Sequence, residues 1–272
     1  MPEAPFRTIF RDFMERALLL FLEFDGTDFC GWQRQTHGRS VQLVVEGALT
    51  ELAGHTCKAV AAGRTDAGVH ALAMPVSVLM PQRWTCSELL RAMNAVLPSE
   101  IAVREVRAVV PGTDARRSAL ERRYRYDIGI DVASRSPNRS RNEWPLGRPL
   151  SRDAMQRSAD LLAGEHDFRA FAAVGEPKPH YDCTVTEAHW DASDPAHLRF
   201  TVAANRFLHH MVRMLVGTMV DIGLGRRPEA DMATLLSRRD NNETSPPAPA
   251  AGLSFLSARY PDTVFLTERA AW

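Results

Sequence analysis

The stretch Ala62-Gly63-Arg64-Thr65-Asp66-Ala67-Gly68-Val69-His70 constrains the fold more than any other part of the chain. One apolar run, Ala59 to Ala62, leads into it, and a second, Ala71 to Leu79, leads out. Two strands joined by a polar loop account for that order. Gly63 and Gly68 tolerate backbone conformations that a Cβ excludes, and they let another chain come close. Between them stand one cation, one hydroxyl and one carboxylate, with an imidazole just beyond. A loop on strand ends holds a carboxylate rigidly and leaves one side open to a substrate. Taken alone, Gly-Arg-Thr-Asp-Ala-Gly is equally an ordinary turn, because Gly, Thr and Asp are turn formers.

The residues around this loop supply a sheet. Ala17 to Phe24 reads as a buried strand. Ser40 caps a helix over Val41 to Ala53, in which Val41, Val44, Val45, Ala48, Leu49 and Leu52 recur at helical spacing, and Gly54 stops it. Cys57 to Ala62 is the strand that delivers the loop; Val76, Val78 and Met80 alternate after it. Pro75 withholds a ladder donor, so an edge or a bulge is expected at Met74-Pro75. Ser87 to Ala95 reads as a helix and Ile101 to Val110 as a strand. The order β-α-β-β-α-β predicts one sheet with helices on one face, an α+β arrangement. Pro111-Gly112 marks a boundary, giving an extension over 1–16, a domain over 17–110 with the loop, and a second over 111–272.

The second domain again mixes strands and helices. Arg122 to Tyr126 opens a strand, and residues 131–148 form a loop rich in Ser, Asn, Pro and Arg. From Arg116 to Arg148 there are nine arginines against Glu121, Asp127, Asp131 and Glu143, a locally basic region inside a neutral total. Ser151 to Gly164 is a helix with Ser151 as its cap, and Thr184 to Trp190 and His197 to Ala204 are strands. Phe207, Met211, Met214, Leu215 and Met219 form the core face of a further helix. On it, His209 and His210 point about 100° apart, a poor metal pair. His166 and Asp167, adjacent in sequence, are expected to be structural. Glu229 to Arg238 is a short helix, Ser245 to Ala251 a proline-rich loop, and Gly252 opens the last strand.

Composition excludes several classes. The 272 residues, 45% hydrophobic, suffice for one large or two modest cores, and 33 basic residues balance 33 acidic ones. All the basic residues but Lys58 and Lys178 are arginines, the better residue for forked phosphate contacts. Cys30, Cys57, Cys86 and Cys183 are far apart, so neither a zinc ribbon nor a disulfide framework is expected. Ala17 to Phe24 is too short to cross a bilayer, and the later run from Phe207 to Leu224 is broken by charges. With no signal-peptide pattern at the N-terminus, a soluble cytoplasmic protein is expected, with no membrane partner.

Gly63 to His70 matches the signature G-R-T-D-A-G-V-H, and the chain resembles the TruA family of tRNA pseudouridine synthases from about Ala17 to Pro261. Phe24 to Gln35 is similar to the family's Y-D-G-(x)4-G-W-Q-R-Q, with Phe24 in place of tyrosine. Asp114 to Ala119 resembles H-A-R-F-S-A, with Asp114 and Arg117 departing. Arg122 to Tyr126 resembles R-x-Y-x-Y, Phe207 to Gly217 resembles F-L-x-H-M-V-R-x-x-V-G, and Ala248 to Phe255 resembles A-P-x-x-G-L-x-L. The resemblance implies the pseudouridine synthase fold: two similarly folded α/β sandwich-like halves, with mixed, largely antiparallel sheets meeting at a central basic cleft.

It further implies isomerisation of uridine to pseudouridine in the anticodon stem-loop of tRNA, at positions 38, 39 and 40, by a homodimer that uses no cofactor and no metal. Asp66 is then the essential carboxylate. Whether it attacks sugar or base, or removes a ribose proton to give a glycal, stays open. Arg64 is associated with base flipping, Arg213 with support of the carboxylate, Tyr124 with packing on the uracil, and Leu253 with closing the pocket. Arg34, Arg116 and Arg123 are candidates for holding tRNA. Two other readings remain: an RNA-binding module without turnover, and an acid–base hydrolase using Asp66 and His70.

Overall fold

The computed structural model describes residues 14–173, 180–238 and 243–272. It divides the chain into two compact units, one of Met1–Leu120 with Ser257–Trp272, the other of Glu121–Leu256. Both are α+β, and each builds a largely antiparallel sheet with a short accessory strand and packed helices. The boundary expected at Pro111-Gly112 therefore moves to Leu120, and the first unit regains the chain's last residues. Of the extension expected over 1–16, Glu15 and Arg16 already belong to a strand, and 1–13 lie outside the described residues.

In the first unit, β1 (Glu15–Phe24) is central, which explains its unbroken apolar run: Leu18, Leu19, Leu20 and Leu22 are all fully buried, on both faces. It pairs antiparallel with β3 (His70–Pro81) and with β4 (Ile101–Val109). A strand not foreseen from the sequence, β11 (Phe265–Ala271), pairs antiparallel with β4. Its Glu268 accepts from the Cys86 backbone N–H at 2.7 Å and bonds Arg16 of β1 at 2.7 Å. The first helix, α1 (Val41–Ala53), has its expected caps, Ser40 accepting from the Leu43 N–H and Gly54 at φ 80°. The second, α2 (Cys86–Val96), starts one residue earlier than expected because Thr85 and Glu88 form a capping box.

Pro75 shapes the sheet beside the loop. It pairs in register with Phe21, in the interior of β3, so the expected edge is not found. The expected bulge is: the register slips between Leu22 and Phe24, and an extra residue enters β3 between Ala71 and Met74. The strand expected over Cys57 to Ala62 shrinks to β2 (Val60–Ala61). Its next rung would need a return N–H from residue 75, which proline lacks; the rung keeps only the bond from the Ala62 N–H to the Pro75 carbonyl, 2.9 Å. On the outer edge, Ala59 is satisfied by side chains of α1, its N–H by Glu46 at 3.0 Å and its carbonyl by Gln42 at 3.3 Å. This explains the burial of a charged residue on the apolar helix face.

The four cysteines are free. Burial first, then the charge and hydrogen bond of Glu268, push the Cys86 thiol up to about 11.

The second unit orders β5 (Glu121–Gly129), β9 (His197–Ala204), β8 (Asp182–Asp191) and β7 (Gly164–Asp167) side by side, each pair antiparallel. The two-residue β6 (Trp144–Pro145) adds a parallel pairing to β5. The loop expected over 131–148 holds that strand and a one-turn helix, α3 (Pro137–Ser140). The helix expected from Ser151 to Gly164 is only α4 (Arg152–Asp160); Ser151 makes no side-chain cap, and Gly164 already begins β7. Packed on α4 is α5 (Met211–Gly223), buried at every position but Arg213 and Asp221. A short α6 (Ala230–Ser237) follows. Strand β10 (Leu253–Arg259) gives its first four residues to this unit and its last three to the first.

Asp127, buried on β5, gathers Arg125 at 2.6 Å, Arg199 at 2.9 Å and His197 at 3.0 Å. Burial raises its carboxyl, but the His197 hydrogen bond and the two arginines outweigh that and hold it below its usual range. Asp127→Asn is expected to cost about 1–2 kcal/mol at neutral pH, since it removes the buried charge that three partly exposed groups bond. With a folded pKa below the unfolded value of roughly 3.9, the wild-type contribution is complete above that pH and fades as pH falls through the folded pKa. Urea unfolding of both proteins from pH 7 to pH 3 checks this: the gap in stability should close only at the acid end.

Candidate active site

The loop at Gly63–Val69 is held by main-chain groups of residues 26–32. The Thr65 carbonyl accepts from the Trp32 N–H at 3.1 Å, the Gly68 N–H donates to the Phe29 carbonyl at 3.3 Å, and the Val69 N–H closes a turn on the Asp66 carbonyl at 3.2 Å. Backbone lies against backbone. A Cβ on Gly31 would stand 2.4 Å from the Thr65 oxygen and 3.0 Å from the Asp66 carbonyl carbon; one on Gly26 would stand 1.9 Å from the Val69 oxygen. Only Gly68 of the loop's two glycines uses positive φ, at 78°, while Gly63 does not. The glycines demanded by close approach are thus those of the facing segment, Asp25-Gly26 and Gly31-Trp32, whose turn-like composition hid this duty in the sequence.

His70 locks the same junction. Its Nδ1 accepts from the Gly26 N–H at 3.1 Å and lies 3.2 Å from Asp25 Oδ1. One nitrogen cannot accept from Gly26 and donate to Asp25 at once, and the backbone donor makes Nδ1 the unprotonated nitrogen. A buried histidine spent on main-chain geometry, as this one is, does not suit the hydrolase reading.

The result is a carboxylate on a fixed loop. Asp66 is half-buried, Arg64 exposed and Thr65 buried. Arg34, one of the expected tRNA contacts, is exposed but tethered: its N–H donates to Gln42 at 3.1 Å and its guanidinium meets Glu46 at 3.2 Å. Arg116 is exposed in the turn that Asp114 caps, the Asp114 carboxylate accepting from the Arg116 and Arg117 N–H groups at 2.8 Å each. Asp114, a departure from the family pattern, is therefore a turn cap here.

The second unit holds the other residues expected at the site. Tyr124 is buried on β5, with the rings of Phe207 and Phe255 edge-on to it at 5.0 and 5.1 Å. Two edge contacts fix the plane of its ring. Arg123, next to it, is ion-paired with Glu187. Arg213 on α5 donates from Nε to the Ala248 carbonyl at 2.7 Å, and the Ala248 N–H returns a bond to the Arg213 carbonyl at 2.9 Å. Leu253 is buried at the start of β10.

Two expectations are corrected here. Phe207, His209 and His210 lie ahead of α5, not on it, so the 100° helical separation does not apply. The two imidazoles stand 4.0 Å apart, and His210 adopts φ 64° as the residue before the helix. In the arginine-rich region, Arg122 donates to the Asn205 carbonyl, Arg125 meets Asp127, and Arg139 bonds both Asp131 and Glu143. Those arginines bond groups of their own unit, so the exposed Arg116, Arg117, Arg135, Arg141 and Arg148, with the partly exposed Arg123, carry the region's basic surface.

His166 and Asp167 are structural, as expected: His166 Nε2 bonds the Ala163 carbonyl at 2.9 Å and Asp167 accepts from the Arg169 N–H at 2.8 Å.

A family profile described as tRNA pseudouridine synthase matches residues 21–112 and 159–261. A protein of Moorella thermoacetica named tRNA pseudouridine synthase A is 40% identical over 248 residues, covering 90% of this chain and 99% of that protein. A Thermus thermophilus protein of the same name is 40% identical over 251 residues, covering 91% and 98%. One from Myxococcus xanthus is 36% identical over 245 residues, covering 90% and 92%.

Proposed function

We infer, from the premise that this chain belongs to the tRNA pseudouridine synthase family and is an isomerase acting on tRNA, that its target uridines lie in the anticodon stem-loop and that Asp66 is its essential carboxylate. The reaction breaks the bond from ribose C1′ to uracil N1, turns the base, joins C1′ to C5, releases the C5 proton and leaves a proton on N1 in exchange. Atoms and electrons balance within the nucleotide, so no cofactor enters the proposal.

Asp66 carries the first step, by attack on the nucleotide or by removal of a ribose proton. Arg64 holds the extruded nucleotide, and Arg213 supports the carboxylate. Tyr124 packs its ring on the uracil in place of lost base stacking and presents its hydroxyl for removal of the C5 proton. Leu253 shuts out water, and Arg34, Arg116 and Arg123 hold phosphates. The protein works as a homodimer in the cytoplasm.

The single observation that carries this reading is the seat of Asp66. Its loop is clamped by main-chain groups of residues 26–32, while Asp66 itself is only half-buried and follows an exposed arginine two residues before it. Preorganisation of this kind is what a reacting group needs.

The test is to incubate the protein with unmodified tRNA transcripts and map pseudouridines by carbodiimide adducts that stop reverse transcription. Stops at anticodon stem-loop positions 38 to 40 are expected. Stops confined to other arms would leave the isomerase and remove the proposed target.

A further inference from the structure

Tyr126 lies two residues beyond Tyr124 on β5, and the proposed chemistry makes no use of it. Its side chain is fully buried, and its hydroxyl donates to the Pro249 carbonyl oxygen at 2.7 Å. A buried phenol needs an acceptor; this acceptor belongs to the segment that delivers Leu253. The Tyr126 ring leaves Gly252 no space for a side chain, since a Cβ there would stand 2.6 Å from the ring and 2.8 Å from the Asp127 oxygen.

The other side of the segment is equally close. A Cβ on Gly217 of α5 would stand 2.3 Å from the Pro246 oxygen, and Arg213 and Ala248 exchange two hydrogen bonds. Residues 246–252 are therefore held by β5 through Tyr126 and by α5 through Gly217 and Arg213. Burial pushes the Tyr126 hydroxyl well above its usual range, against the lowering effect of the Arg213 charge, and it stays a donor.

We propose that Tyr126 is a positioning residue of the isomerisation: its bond to Pro249 and its ring contact with Gly252 set where Leu253 stands. The inference rests on the reading that Leu253 acts in the reaction. Phenylalanine at 126 removes one oxygen, keeps the ring and leaves the Pro249 carbonyl without its donor, so the segment loosens. A misplacement of about 1 Å costs a positioned reaction up to roughly 100-fold.

The test is single-turnover release of tritium from uracil C5 of an unmodified tRNA, with tRNA affinity and thermal unfolding measured separately on the full chain. Tyr126→Phe is expected to react about tenfold more slowly at saturating enzyme, with tRNA binding unchanged and unfolding still cooperative. A role in stability alone would move the melting temperature and leave the rate per folded molecule intact. Leu253→Ala should be slow by itself, and adding Tyr126→Phe to it should cost nothing more, because the two act through one contact. A slow Leu253→Ala beside a Tyr126→Phe of wild-type rate overturns the inference alone, as do losses that multiply in the double variant. A wild-type rate for Leu253→Ala overturns the reading of Leu253, and the inference with it.

Discussion

Asp66→Ala is expected to bind tRNA as the wild type does and to release tritium from uracil C5 at least about 10⁴-fold more slowly, the scale on which deleting a reacting group acts. Binding should survive because the loop is anchored by the Thr65 carbonyl, the Gly68 N–H and the Asp66 carbonyl, all of which alanine keeps. For the same reason the melting temperature should hold. Equilibrium binding and tritium release on one preparation separate the two effects. Release that persists in the variant would keep the enzyme and strip Asp66 of its role. Loss of release together with loss of binding would say that the carboxylate orders the RNA surface.

Gly31→Ala is expected to be the most damaging change of a single methyl group in the first unit. The position has φ 94°, which costs an L-residue about 1–2 kcal/mol. The new Cβ also meets main-chain atoms of Thr65 and Asp66 at 2.4 and 3.0 Å, and main chain yields less than a side chain would. Overpacking of that kind adds about 1–3 kcal/mol, for a total on the order of 2–5 kcal/mol and a fall in melting temperature of roughly 10 °C. Gly54→Ala is the control. It has φ 80° and nothing within 4 Å of the new carbon, so about 1 kcal/mol is expected. Thermal unfolding of both decides the matter: equal losses would mean that backbone conformation alone matters at Gly31, and the clamp on the Asp66 loop would fall. Activity of Gly31→Ala measured below its melting temperature should drop further than its folded fraction, because the clash displaces the loop that carries Asp66.

Much of the first unit was legible in its residues. The helix from Val41 to Ala53 was read to the residue, because a serine cap, an apolar repeat and a glycine stop agree with one another. Strand β1 was legible because a strand covered on both faces needs no alternation. What escaped were features decided by partners distant in sequence. Nothing in Phe265 to Ala271 says that it will pair with Ile101–Val109, and that pairing returns the chain's last strand to the first unit. The short β2 depends on a proline fourteen residues beyond its own end. At the site, the signature pointed to Asp66 and Arg64, whereas the duties of Gly26, Gly31 and His70 follow from contacts between two loops. Tyr126 and Gly252 escaped for the same reason: a tyrosine in a strand and a glycine before one are ordinary until the Pro249 carbonyl stands between them.

The return of β11 to the first unit has a consequence for synthesis. When Leu120 leaves the ribosome, the first unit has most of its sequence but lacks β11, the strand that covers β4, and Glu268, the residue that ties Cys86 to Arg16. About 150 further residues must be translated before that strand exists, which takes roughly 10–30 s at ordinary elongation rates. During that interval the nascent chain shows an unpaired strand edge, of the kind that recruits other chains. The unit that begins first is completed last, so a chain cut short anywhere before residue 265 leaves both the ribosome and its protein quality control with an open sheet.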